Sequence, residues 1–156
     1  MADRRGVVRP EGAEEGEALK TIFIVPGEPG FKRRARAFVH NVLNVVKVAQ
    51  PKENASYEAK VATFARAAGL VPVVGPVVLG ITAYYTLPRS KHRRRKPCVR
   101  QAKTTKPDWD NIGKIVSDSL NGVAYLDDAQ VCRATVTKAW AAQGEAGFLE
   151  VEVEQA

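Results

Sequence analysis

Apolar and polar residues alternate at the C-terminal end of the chain, in LEVEVE, which predicts a strand with Leu149, Val151 and Val153 inward and its glutamates toward solvent. A first strand is expected over residues 21–25, apolar and β-branched, ending at Pro26 before a turn in PGEPG. The stretch FKRRARAFVHN is basic, and VHNVLNVVKV beyond it could be an irregular hairpin or a short helix; the hairpin is the preferred reading. The period then becomes helical. From Asn54 or Ser56 as N-cap to Ala68, residues Tyr57, Val61, Phe64, Ala65 and Ala68 share one stripe, and Gly69 is the stop. Residues 77–87 are apolar on both faces, as expected of a strand central in its sheet.

Pro88 and Pro97 flank a loop-like basic stretch. Beyond it, Pro107 keeps Lys106 out of helical space and Asp110 is the expected N-cap. Ile112, Ile115, Val116, Ser119 and Leu120 then fall at helical spacing before Asn121 and Gly122 close the helix. VAYLDDAQVCRATVTKAWAA predicts a long strand with Asp127 and Asp128 at its start. The elements add up to an α+β fold, a small mixed β-sheet packed with two main helices in a single domain over 20–156. Residues 1–19, rich in Gly, Glu and Arg without a sustained period, are expected to form a flexible N-terminal tail.

Composition adds limits. A chain of 156 residues with 45% hydrophobic and 26% charged residues suits one globular domain rather than wholesale disorder. Two cysteines, Cys98 and Cys132, and no secretory apolar region at the N-terminus fit a reduced, cytoplasmic protein. No apolar run approaches the roughly 18 residues of a spanning helix, so no membrane partner is expected. The formal charge of +7 points to an anionic partner, although a basic balance alone also fits solubility or a membrane surface.

The position of the acids sharpens that reading. Five of the six aspartates lie between positions 108 and 128, and the cluster follows a run without acids that holds Arg89, Lys91, Arg93, Arg94, Arg95, Lys96, Arg100, Lys103 and Lys106. Cations that grip a polyanion beside short carboxylates that can hold a divalent ion are the parts of a metal-dependent nuclease. Asp108 and Asp110 sit at a helix entrance, where an extended lead-in points residues i and i+2 the same way. Lys114 lies one turn further on, and a returning strand can bring Asp127 and Asp128 back, one of the two facing the site. Each piece has a plainer reading: Asp110 as a cap, Asp127 and Asp128 as a turn, and Asp110, Lys114 and Asp118 as an ordinary i,i+4 ladder. Converging carboxylates repel by about 1–4 kcal/mol per pair at 4 Å in a wet site, a cost usually met where a cation offsets it. A calcium loop matches at Asp108, Asp110 and Gly113 but fails at Ile112 and Ser119, where oxygen ligands are required. His40 and His92 have no ligand or triad spacing with the cysteines, and no phosphate-binding glycine motif suggests a nucleotide cofactor.

The sequence KPDWDN, Lys114 four residues beyond Asp110, Asp118, and NGVAYLDDAQV resembles the signature of the RusA family of Holliday junction resolvases, metal-dependent endonucleases of phages and prophages. PGEPGFKRRAR followed by QPKENASYEAKV is similar to that family's N-terminal pattern, so the resemblance spans residues 20–154. It implies a homodimer that cuts four-way DNA junctions by paired symmetric cleavage, in recombination and repair, inside a bacterial or phage-infected cell. By the same resemblance Asp108, Asp110 and Asp128 are magnesium ligands (manganese also fitting), Lys114 is an active-site lysine, and Asp127 is a ligand of less certain role. Lys32, Arg33, Arg34, Arg36, Arg93, Arg94, Arg95 and Lys96 are the expected DNA contacts. A less selective branched-DNA or flap endonuclease, or a DNA-binding protein without catalysis, are the alternatives. Ala35, in a turn that often carries proline in the family, leaves substrate preference open.

Overall fold

The computed structural model describes residues 19–40 and 45–156, so most of the expected tail lies outside the described residues, as does the side chain of His40. Five strands form a mixed sheet in the order β1-β7-β4-β6-β5: β1 (Lys20–Pro26), β4 (Val77–Tyr85), β5 (Gln101–Ala102), β6 (Val131–Trp140) and β7 (Phe148–Gln155). The expected hairpin is present as a separate antiparallel pair, β2 (Arg36–His40) with β3 (Val45–Ala49). Two helices, α1 (Lys52–Ala67) and α2 (Trp109–Ser119), complete the α+β domain.

Alternation explains why the helices share one face of the sheet. Phe23 and Val25 of β1 lie in register with Val151 and Leu149 of β7, which pair in turn with Ile81 and Ala83 of β4, and all six are buried. Their neighbours in sequence point to the other side, where Ile22 and Ile24 are more than half exposed. Central β4 alternates fully buried with half-buried positions, so its apolar character serves one covered face and one open face. It pairs antiparallel with β7 and parallel with β6. A parallel neighbour requires a crossover, and α2 lies in that connection, which places its two ends at opposite ends of β6.

The α2 stripe falls where the spacing puts it, with Ile112, Ile115, Val116, Ser119 and Leu120 all buried. Gly113 lets α2 approach the sheet, since an added Cβ would lie 3.2 Å from Val136 of β6. The start of α1 differs from expectation. Pro51, not Asn54 or Ser56, is the N-cap, and Ala68 is exposed while Ala62 is buried. Proline suits a helix entrance because its fixed φ is already extended-to-helical, and Asn54 is drawn into a tertiary contact instead. No helix among the described residues is long and apolar enough to cross a membrane.

Candidate active site

The basic turn between β1 and β2 is held by backbone and side-chain contacts from both helices. The Lys32 N–H donates to the Asn111 carbonyl of α2 at 2.8 Å. Buried Asn54 of α1 clasps Arg33, accepting from its N–H at 3.0 Å and donating to its carbonyl at 2.9 Å. Gly30 lies so close to the Tyr57 ring that a Cβ there would come within 2.5 Å of it, which only glycine avoids. With the backbone fixed, Arg33, Arg34 and Arg36 line an open groove of about 1070 Å³, whose other walls include Lys106, Pro107, Asp108 and Asn111. Lys32 lines it too, but its ammonium is bound to Glu58 at 2.6 Å and Asp118 at 2.8 Å.

Asp108 is the N-cap of α2 with an extended backbone, and Asp110 lies in the first helical turn. The expected cap at Asp110 is therefore displaced by two residues: Pro107 excludes helix only before itself, so winding starts immediately after Asp108. The two aspartates do not share an extended lead-in, and on a helix residues two apart do not face each other. The Asp108 carboxylate pairs with Lys106, whose hydrogen bond holds it below the usual carboxylate range, helped by the charges of Lys106, Lys138 and Arg34.

Two lysines grip the loop that delivers Asp108. Buried Lys103 donates to the Thr105 carbonyl at 3.0 Å, to the Thr105 hydroxyl at 2.7 Å and to the Lys106 carbonyl, with its ammonium 4.5 Å from the Trp140 ring centre and 5.0 Å from that of Tyr85. Burial, reinforced by nearby Lys138 and Lys91, lowers its pKa. Lys138 of β6 donates to the carbonyls of Thr105 at 3.0 Å and Pro107 at 2.8 Å. Sequence reasoning counted Lys103 only as one more cation and passed over Lys138. The available signal was parity: Lys138 shares a strand face with Val136 and Trp140, an inward position at which a lysine needs partners.

Asp127 and Asp128 precede β6 rather than starting it. Asp127 caps a 3-10 turn, Asp128–Gln130, accepting from the Ala129 N–H at 2.8 Å, while the Gln130 side chain reaches back to the Asp127 N–H at 3.1 Å and to the carbonyls of Val73 and Gly75. Asp128 faces the Lys114 ammonium at 3.6 Å. The two aspartates differ through turn capping rather than strand alternation, Asp127 turned to its own turn and Asp128 to Lys114. Lys114 also binds Asp118 at 3.0 Å, and its pKa is raised chiefly by that hydrogen bond. Burial pushes Asp118 upward, but hydrogen bonds from Lys32 and Lys114 outweigh it and hold the carboxyl below its ordinary value.

Asp128 thus meets α2 at Lys114, six residues and about 9 Å of helical rise beyond Asp108 at the N-terminus. Among the described residues no three His, Cys, Asp or Glu side chains form a group that could hold a metal ion. The expected DNA contacts are likewise divided. Arg93, Arg94, Arg95 and Lys96 are exposed outside the groove, near the far end of β6, where the Arg93 N–H donates to the Gln143 side-chain oxygen and the Gln143 amide donates to the Arg93 carbonyl.

The family model for Endodeoxyribonuclease RusA matches residues 26–154. The chain is also similar to YqaN, an uncharacterized protein of Bacillus subtilis (strain 168), at 34% identity over 122 residues that span 74% of this chain and 84% of the relative.

Proposed function

The chain belongs to the RusA endodeoxyribonuclease family, and from that premise we propose that it is a magnesium-dependent, structure-specific endonuclease that resolves four-way DNA junctions by paired symmetric cuts. The observation that supports this most directly is the groove in which Arg33, Arg34 and Arg36 stand over Lys106 and Asp108. A row of guanidinium groups fixed to a pinned backbone neutralises successive phosphates and carries a strand to a carboxylate.

Asp108, Asp110 and Asp128 are the proposed ligands of Mg2+, with Mn2+ accepted in its place. The donor chemistry suits that ion, since all three offer hard carboxylate oxygens, and holding it requires them to be drawn together, because in this structure they form no single group and Asp108 and Asp128 pair with Lys106 and Lys114. The ion supplies, when bound, a Lewis-acid charge and a bound water of lowered pKa. The protein's own groups do the remainder. Lys103 and Lys138 fix the carbonyls before Asp108, so this carboxylate is presented without further ordering of its loop. Lys114 adds positive charge where the phosphorane charge develops. Asp127 serves by capping its turn and so orienting Asp128. A junction has two strands to cut, which two equivalent sites of a homodimer match.

Purified protein incubated with labelled four-way junction, flap and linear duplex, with Mg2+ and with EDTA, tests this reading. Paired cuts at equivalent positions of the junction, lost in EDTA, are expected. Equal cutting of all branched forms would favour the less selective endonuclease, and metal-independent binding without cutting would leave a DNA-binding protein.

A further inference from the structure

We propose that Asp118 is a positioning residue for this endonuclease, holding the Lys114 ammonium against Asp128 while Lys32 and Glu58 hold Asp118 in place; the inference rests on the reading of the site given above. Four elements are joined in one chain of charges: Glu58 of α1, Lys32 of the basic turn, Asp118 and Lys114 of α2, and Asp128 of the 3-10 turn. Each oxygen of Asp118 is bound by a different lysine, Oδ2 by Lys32 at 2.8 Å and Oδ1 by Lys114 at 3.0 Å.

Helix stability alone does not account for this aspartate. An acid in the last turn of α2 faces the negative end of the helix dipole, which costs about 0.3–1 kcal/mol at an exposed site. Lysine preceding the acid by four residues is also the weaker order for an i,i+4 pair. Both local terms disfavour Asp118, yet its side chain is only 19% exposed and takes two cations. Lys114 is the reverse case. Its side chain is 57% exposed, and a lysine that free samples many rotamers unless something fixes it. Asp118 removes that freedom on the side where Asp128 lies. The basic turn is coupled to the same point, because Lys32, next to Arg33 and Arg34 of the groove, supplies the second hydrogen bond to Asp118.

The test compares wild type, Asp118→Asn, Lys114→Ala and the double variant. Asp118→Asn keeps the shape and one acceptor oxygen while removing the charge. NMR relaxation at the Lys114 ε-carbon, which requires neither metal nor DNA, reads how firmly the side chain is held; Lys114 is expected to be more mobile in Asp118→Asn than in wild type. Junction cleavage is expected to fall about 10–100-fold in kcat at unchanged KM in Asp118→Asn. In the Lys114→Ala background the same substitution should cause no further loss. Unchanged Lys114 mobility, or independent multiplication of the two losses, overturns the inference and returns Asp118 to a clamp between the helices. If wild type cuts no DNA, the endonuclease reading fails and takes the positioning role with it, whereas an active wild type with uncoupled Asp118 fails the inference alone.

Discussion

The basic turn at 32–36 holds four cations in five residues and the basic run at 89–106 nine in eighteen, and the first acts as one anchored unit whereas the second is divided along its length. Asn54, Tyr57 and Asn111 fix the turn's backbone, so Arg33, Arg34 and Arg36 line one groove, with the Arg33 guanidinium over the Phe31 ring and 4.0 Å from Glu53. In the run, Lys91 lies over the Trp140 ring, Arg100 pairs with Glu145 and stacks on Tyr84, and Lys103 is buried. Arg93, Arg94, Arg95 and Lys96 remain exposed, and Lys106 returns to Asp108. Charge per residue therefore measures capacity for an anion, while the anchoring of the backbone decides which cations converge on it.

The largest effect is expected at Asp108, where the turn's groove meets the end of the run. Asp108→Asn, Asp110→Asn and Asp128→Asn should each lower junction cleavage by about 10²-fold or more, with binding unchanged or tighter, because each removes a proposed metal ligand and a charge facing phosphate. Asp127→Asn should do less, since asparagine keeps the capping oxygen, whereas Asp127→Ala should lower stability by about 1 kcal/mol through loss of the cap. Full nicking activity in any of the first three variants would remove that residue from the site.

Next in size is a direct contest between the two segments. Replacing Arg33, Arg34 and Arg36 by alanine should flatten the log–log salt dependence of junction binding by about 2.7, at about 0.9 per neutralised duplex phosphate. The triple alanine variant at Arg93, Arg94 and Arg95 should flatten it less and leave cleavage of bound junction nearly unchanged. Equal slopes for the two variants would erase the distinction drawn between the segments.

A smaller effect isolates the anchoring itself. Asn54→Ala removes both hydrogen bonds to Arg33 and should destabilise the fold by about 1–3 kcal/mol, seen as a lower melting temperature. It should also weaken junction binding, since the arginines are then no longer held in one direction. Retained affinity in a folded but less stable variant would separate groove formation from the clasp.

The smallest effect lies in pH. The folded pKa of Asp118 is depressed, so its ion pairs contribute stability above the unfolded value near about 3.9 and lose it as pH falls through the folded value. Lys114 has a raised folded pKa, so its contribution is present below about 10.4 and is lost as pH rises beyond that. The melting-temperature gap between wild type and Asp118→Asn should be flat from about pH 5 to 9 and narrow below about pH 4. A gap that widens on acidification would contradict the assigned ion pairs.

Local pattern alone determined the main strands and the two helices in order, the buried stripe of α2, the central place of β4 and the family, because each depends on spacings of two to four residues or on a contiguous motif; it left the β2–β3 hairpin open against a short helix and read β5 as loop, since both depend on strand pairing. Tertiary structure decided the rest. Asn54 is a clasp on Arg33 rather than a cap because the partner is 21 residues away, and no helical periodicity reports such a contact. Lys103 and Lys138 become supports for the Asp108 loop only once β6 lies beneath it. Asp128 meets Lys114 because the 3-10 turn is fastened to residues 73–75 by Gln130, which sets where β6 begins against α2. A sequence states which groups are present and how they repeat along the chain. Which of them share a point in space is set by packing between elements distant in sequence, since a charge takes the nearest partner the fold supplies.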